Sequence, residues 1–300
     1  MNHSTDPNID EQLSMATAER AQGDAVETPA GGAVSGMLPE GPPTAFSLEG
    51  AALTIAQEAT TPEVKKIRYR AKPKFSFPIP LKVVLIDLDG TLLDTVGDII
   101  TAANAMRGTL GFQRLEAGLV RNFVGKGITN LVAKTLKDCV GEVGPTALKV
   151  AVANFELQYE RCFDATSKPY PGVVDGLNAL RDEGFRLGCV TNKAEKFTLP
   201  LLAKTGLRDY FEIVVSGDTV AEKKPHPMQL KHAAAFFGCK TNEMLLIGDS
   251  INDAEAARAA GSAVFIVPYG YNEGQELRGL DCDAFIDDLP SALKLVKLVA

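Results

Sequence analysis

Five apolar, β-branched runs of strand length follow one another after residue 80: KVVLIDLD (Lys82–Asp89), FRLGCVTN (Phe185–Asn192), FEIVVSGD (Phe211–Asp218), EMLLIGDS (Glu243–Ser250) and SAVFIVPYG (Ser262–Gly270). Their apolar residues are successive rather than alternating, the pattern of strands buried on both faces. Helical patterns lie between them (DGLNALRDEG, KFTLPLLAKTG, PMQLKHAAAFFG, NDAEAARAAG), several closing on Gly where a helix C-terminus favours it. Strands alternating with helices imply an α/β fold, a doubly wound parallel sheet with helices on both faces.

One interval breaks this rhythm. Between Asp94 and about Lys168 the apolar spacing is helical throughout, in IITAANAMRGTLGF, ITNLVAKTLKDCV and PTALKVAVANFELQYERCF. The expectation is a core of residues 81–94 and 169–300 with an all-helical unit, 95–168, inserted after the first strand.

The first 75 residues read differently. Met1 to about Thr61 is rich in Ala, Gly, Pro, Thr and Glu, with Arg20 its one basic residue. Such a composition buries too little apolar surface to offset chain entropy, so this extension is expected to be disordered, apart from a short helix over Ser47–Ala59. Lys65, Lys66, Arg68, Arg70, Lys72 and Lys74 then read as a solvated basic linker.

A net charge of −7 argues against nucleic acid or an anionic membrane surface as partner, since both call for a basic face. The five cysteines form no C-x-x-C pair and leave an odd one, as reduced cytoplasmic thiols would. No apolar run approaches the ~20 residues of a membrane span, and the acidic N-terminus has neither a signal-peptide nor a transit-peptide pattern. A cytoplasmic protein acting on a small molecule is expected; a homo-oligomer stays open.

In open α/β sheets ligands bind at the carboxyl ends of the strands. Those ends carry Asp87 and Asp89, Thr191 and Asn192, Ser216 and Asp218, and Asp249, with Lys224 and Asp253 close behind. Asp87 and Asp89, at i and i+2 on an extended strand end, share a face. Carboxylates gathered in this way suit Mg²⁺, which takes oxygen ligands, and Asp249 and Asp253 add more. Taken singly each residue has a bland account as a turn, strand-end or surface residue; a set converging on one rim has no packing explanation.

DLDGTLLDT (Asp87–Thr95), VTNK (Val190–Lys193), KKPHP (Lys223–Pro227) and GDSINDAEAARAAG (Gly248–Gly261) resemble, in order and spacing, the four motifs of the haloacid-dehalogenase superfamily of phosphohydrolases. The helical insert resembles that superfamily's C1-type cap. VRNFVGKGITNLV (Val120–Val132) and KPYPGVVDGLNAL (Lys168–Leu180) are similar to bacterial phosphoglycolate phosphatases.

The resemblance implies a Mg²⁺-dependent phosphatase that converts 2-phosphoglycolate to glycolate and phosphate. Asp87 would be the nucleophile that becomes phosphorylated, and Asp89 the acid that protonates the leaving oxygen and then activates water. Thr191, Asn192 and Lys224 would bind the phosphoryl group. Mg²⁺ would be held by Asp87, Asp249, the backbone carbonyl of Asp89 and Asp253, the last through water unless it pairs with Lys224. Lys126, with the helix N-terminus after it and Arg121, would meet the substrate carboxylate. His226 and His232 have no Ser or Cys to activate and read as surface or packing residues.

Rival readings are a phosphonatase using Lys126 as a Schiff base, a dehalogenase, which has no need of Asp89, and a phosphate-ester mutase. From another class comes a non-catalytic regulator binding through the N-terminal extension.

Overall fold

The computed structural model describes residues 71–277 and 279–299. The expected extension before residue 71, with its helix over Ser47–Ala59, lies outside the described residues. At the centre is a six-stranded sheet. Its strands are β2 (Val83–Ile86), β5 (Arg186–Val190), β6 (Ile213–Val215), β7 (Met244–Gly248), β8 (Ala263–Ile266) and β9 (Ala284–Phe285), all paired in parallel in the order β6-β5-β2-β7-β8-β9.

All five apolar runs form strands, each shorter than the run that announced it, so the polar residues stand just past the strand ends. The reason for the unbroken apolar pattern is visible in the packing. Val84, Ile86, Leu187, Cys189, Leu245 and Ile247 face helices α5 (Val173–Asp182) and α6 (Glu195–Lys204). Val83, Leu85, Val190, Leu246 and Val264 face α7 (Met228–Phe237) and α8 (Ile251–Ala260). Both faces are covered, so no position in the central strands is left for a polar side chain. Gly238 and Gly261 end α7 and α8 at φ 65° and 76°, as the expected C-terminal glycines do.

The chain leaves the sheet through β3 (Leu93–Asp94) and returns through β4 (Lys168–Pro169), which pair antiparallel. Between them lie only helices: α1 (Val96–Thr109), α2 (Ala117–Arg121), α3 (Ile128–Val140) and α4 (Pro145–Glu160). They share their own apolar cluster, built on Ile99, Met106, Leu131, Leu136, Phe155 and Tyr159, which takes in Phe197 and Tyr271 from the sheet-bearing part. Asp98, buried in the first turn of α1, accepts four hydrogen bonds of 2.6–3.0 Å from the amides and hydroxyls of Thr166 and Ser167. That pins the return crossing to the outgoing one.

The fold begins earlier than the sequence suggests. β1 (Ile79–Leu81) pairs in parallel with β10 (Val296–Leu298). The Lys72 amide donates to the Cys282 carbonyl at 2.8 Å, Lys74 Nζ lies 2.9 Å from Asp281, and Phe77 packs on Phe265 with ring centroids 6.3 Å apart. Lys72 and Lys74 are exposed, as expected of solvated lysines, but the segment that carries them is tied to the folded body. Their partners stand some two hundred residues away, so no local pattern announces them.

Candidate active site

The strand order places β2 and β7 side by side at the point where the chain's progression across the sheet reverses, where α/β sheets open a crevice beyond the strand ends. Asp87 follows β2 and is still held in register, its amide donating to the Ile247 carbonyl at 2.9 Å. Asp249 follows β7. Asp253 sits in the first turn of α8, where its carboxylate accepts from the amide and hydroxyl of Ser250 at 3.1 and 2.7 Å, a reciprocal helix cap. Oxygens of Asp87, Asp249 and Asp253 all lie within 4.8 Å of one another, and all three residues are buried.

Lys224 reaches into this cluster. Its ammonium lies 2.7 Å from Asp253 and 2.9 Å from Asp87 and donates to the Val190 carbonyl at 2.8 Å. Burial works against its charge, but Asp253 and Asp87 outweigh that and hold its pKa above the ordinary lysine value. Asp253 is thus the partner of Lys224, one of the two roles expected for it.

One ammonium does not neutralise three carboxylates. Burial, opposed by Lys224 and reinforced by Asp253 and Asp89, pushes Asp87 up to about 7. Burial and the charges of Asp253 and Asp87 also raise Asp249 well above the carboxylate range, although it accepts hydrogen bonds from the amides of Tyr271 at 2.6 Å and Asn272 at 3.4 Å. A buried, all-oxygen, excess-negative cluster of this kind fits a hard divalent cation, whose charge would return both groups to the ionised form.

Three glycines make the close approach feasible. A Cβ on Gly90, which turns the chain at φ +87°, would stand 2.3 Å from Asp249 Oδ2. One on Gly270 would stand 2.2 Å from Asp249 Cβ, and one on Gly248 2.2 Å from Asp253 Cγ. Only hydrogen fits at these positions.

A cavity of about 50 Å³ opens from the cluster toward the helical insert, several times the ~10–15 Å³ that one water needs. Asp87, Asp89, Thr191, Asn192 and Lys193 line its sheet side, and Ile99, Val124, Leu131, Phe155 and Tyr159 its insert side. Thr191 stands at the end of β5, its amide bonded to the Val215 carbonyl at 2.9 Å. Asn192 donates to the carbonyls of Gly125, in the insert, and Lys224, both at 2.9 Å. Asp89 accepts from the Thr95 hydroxyl at 2.7 Å and pairs with the Lys193 ammonium at 3.2 Å.

Two residues that shape this site have no role assigned to them in the sequence: Lys193, present there only as the last residue of VTNK, and Gln229. Lys193 is buried against Asp89 and Tyr159; its place directly after the Thr-Asn pair at a strand end was the available signal. Gln229, fully buried on α7, donates to the carbonyls of Thr191 and Ser216 at 2.8 and 3.0 Å and accepts from the Lys224 amide at 3.1 Å. It ties three strand-end segments together, and nothing in the sequence marked it.

Two expected substrate contacts lie elsewhere. Lys126 pairs with Glu273 at 3.2 Å, and Arg121 donates to the Gly270 carbonyl at 2.9 Å over the Tyr271 ring. Only the flanking glycines of Lys126, Gly125 and Gly127, line the cavity. His226 Nδ1 accepts from the Met228 amide and also stands outside it.

Residues 84–267, more than half the chain, match the family model described as haloacid dehalogenase-like hydrolase. The chain belongs to the haloacid dehalogenase-like hydrolase family. Among relatives in this family, the phosphoglycolate phosphatase of Nitrosospira multiformis is 54% identical over 222 residues, 74% of this chain and 98% of its own length. That of Thiobacillus denitrificans is 46% identical over the same shares. Among solved hydrolase structures, one described as a predicted phosphoglycolate phosphatase from Haemophilus somnus 129pt superposes with a TM-score of 0.67 at 30% identity, covering 71% of this chain and 97% of that one.

Proposed function

We propose that this protein is a cytoplasmic phosphatase that hydrolyses 2-phosphoglycolate to glycolate and phosphate through a phosphorylated Asp87. The observation that carries the mechanism is the placement of Asp87 between Lys224 and the cavity, with Asp89 and Thr191 on the same wall. The relatives named for phosphoglycolate support the substrate.

The phosphoryl group sits against Asp87, Thr191 and Lys224. Asp87 attacks phosphorus, forming the aspartyl-phosphate bond as the phosphorus–ester oxygen bond breaks, and a proton on Asp89 passes to the departing glycolate oxygen. Asp89 then takes a proton from water, which attacks the aspartyl phosphate and frees Asp87 and inorganic phosphate. The Lys224 ammonium and the Thr191 hydroxyl stabilise charge on the phosphoryl oxygens. Gln229 fixes the backbones that carry both. Mg²⁺, held by Asp87, Asp249 and the backbone carbonyl of Asp89, would supply the positive charge that keeps Asp87 ionised at neutral pH.

Phosphate release from 2-phosphoglycolate, glycerol phosphate, phosphoserine, glucose 1-phosphate and pyrophosphate, measured with Mg²⁺ or EDTA, tests this reading. Preference for 2-phosphoglycolate that requires Mg²⁺ supports it. Preference for another ester removes the substrate and leaves the mechanism standing.

A further inference from the structure

The cavity has one cation on its wall among the described residues, and it is not the one expected. Lys193, 6% exposed, stands with its ammonium 2.7 Å from the Tyr159 hydroxyl, 3.2 and 3.3 Å from the two oxygens of Asp89, and 4.8 Å from the Tyr159 ring centroid. Around this group the wall is apolar: Ile99, Val124, Leu131 and Phe155. Tyr159 is clamped by Phe155 and Phe197 at ring distances of 5.6 and 4.8 Å. Its oxygen accepts from Lys193, and no described residue accepts its hydroxyl hydrogen. Burial pushes this phenol up to about 12, so the hydrogen is retained. A phenol polarised by an ammonium at its oxygen, in surroundings of low dielectric, is a strong donor with nothing yet to donate to.

We infer that Lys193 and the Tyr159 hydroxyl together form the seat for the carboxylate at the non-phosphate end of the substrate. Spacing supports this. Asp89 serves the ester oxygen, and in 2-phosphoglycolate the carboxylate carbon is separated from that oxygen by a single methylene; Lys193, 3.2 Å from Asp89, lines the same cavity. Because Lys193 comes from the sheet-bearing part and Tyr159 from the insert, the seat is complete only when the two are together. Lys126, which pairs with Glu273 and does not line the cavity, does not take this role.

The inference rests on the proposed substrate, and its test separates the two. Steady-state kinetics compare 2-phosphoglycolate with ethyl phosphate, which keeps the ester oxygen and both carbons but has no carboxylate. The quantity read is the ratio of their kcat/KM values, which general damage to Asp89 or to the fold leaves unmoved. The wild-type ratio favours 2-phosphoglycolate; K193M reduces it by at least about tenfold, Y159F by less, and K193R restores part of it. Y159F, a milder change, carries the test alone if K193M does not fold, and an unchanged ratio then overturns the inference. Equal loss on both substrates in K193M overturns it by leaving Lys193 a role through Asp89 only, and collapse of the ratio in K126A overturns it by returning the seat to Lys126. A wild type that does not turn over 2-phosphoglycolate refutes the substrate reading, and the inference with it.

Discussion

Lys224 stands between Asp87 and Asp253, 2.9 Å from one carboxylate and 2.7 Å from the other, and is the one ammonium in contact with the acidic cluster among the described residues. Replacing it by Met leaves three buried carboxylates without a protein counter-charge. Steady-state assays at saturating Mg²⁺ are expected to show kcat reduced by about 10²–10³-fold in K224M, with a larger requirement for Mg²⁺.

Stability of the metal-free protein depends on pH through Asp87. Its carboxyl rises from 3.8 to about 7 on folding, so the native state favours the protonated form. The stability this contributes is fully present below about pH 4 and is lost as the pH rises through about 7. In EDTA the wild type is expected to melt at a lower temperature at pH 8 than at pH 5.5. Asp87→Asn, which has no charge to suppress, is the more stable protein at pH 8, and the gap narrows toward pH 5.5. Mg²⁺ stabilises the wild type at pH 8 more than it does the variant. Thermal melts across this range check all three statements.

Gly270→Ala places a methyl carbon 2.2 Å from Asp249 Cβ, and Asp249 is buried and bonded to the Tyr271 amide. The Mg²⁺ concentration for half-maximal activity should rise at least about tenfold, with a loss of about 1–3 kcal/mol in stability. Metal titration of activity and urea unfolding give the two numbers.

Gln229→Leu keeps the approximate volume and removes three buried hydrogen bonds. The Thr191 carbonyl and the Lys224 amide lose their partner, and the Ser216 carbonyl keeps only the Thr219 amide, a loss of about 2–3 kcal/mol. Urea denaturation measures that loss, and kcat should fall with it because Thr191 and Lys224 are no longer held in register.

The sheet was legible because burial on both faces forces an unbroken apolar pattern, as in VVLI (Val83–Ile86) and MLLIG (Met244–Gly248). The acidic cluster was legible for a related reason: Asp87, Asp249 and Lys224 stand past strand ends that the pattern itself marks. What escaped depends on distance in the chain. β1 pairs with β10, Lys74 with Asp281, and Gln229 bonds across to Thr191 and Ser216, and none of these partners leaves a periodic trace. Lys126 is expected at the substrate only from the family resemblance; its flanking glycines do line the cavity, but the side chain turns to Glu273, a buried acid whose place follows from the fold alone.

The measurement that bears most directly on the mechanism is covalent. The enzyme is quenched in acid during turnover of 2-phosphoglycolate with Mg²⁺, digested, and its peptides mapped by mass spectrometry before and after hydroxylamine. A hydroxylamine-labile phosphoryl group on the peptide carrying Asp87, absent from Asp87→Asn, is the predicted result. Turnover that continues in Asp87→Asn, or a phosphoryl group found on a different residue, would contradict it.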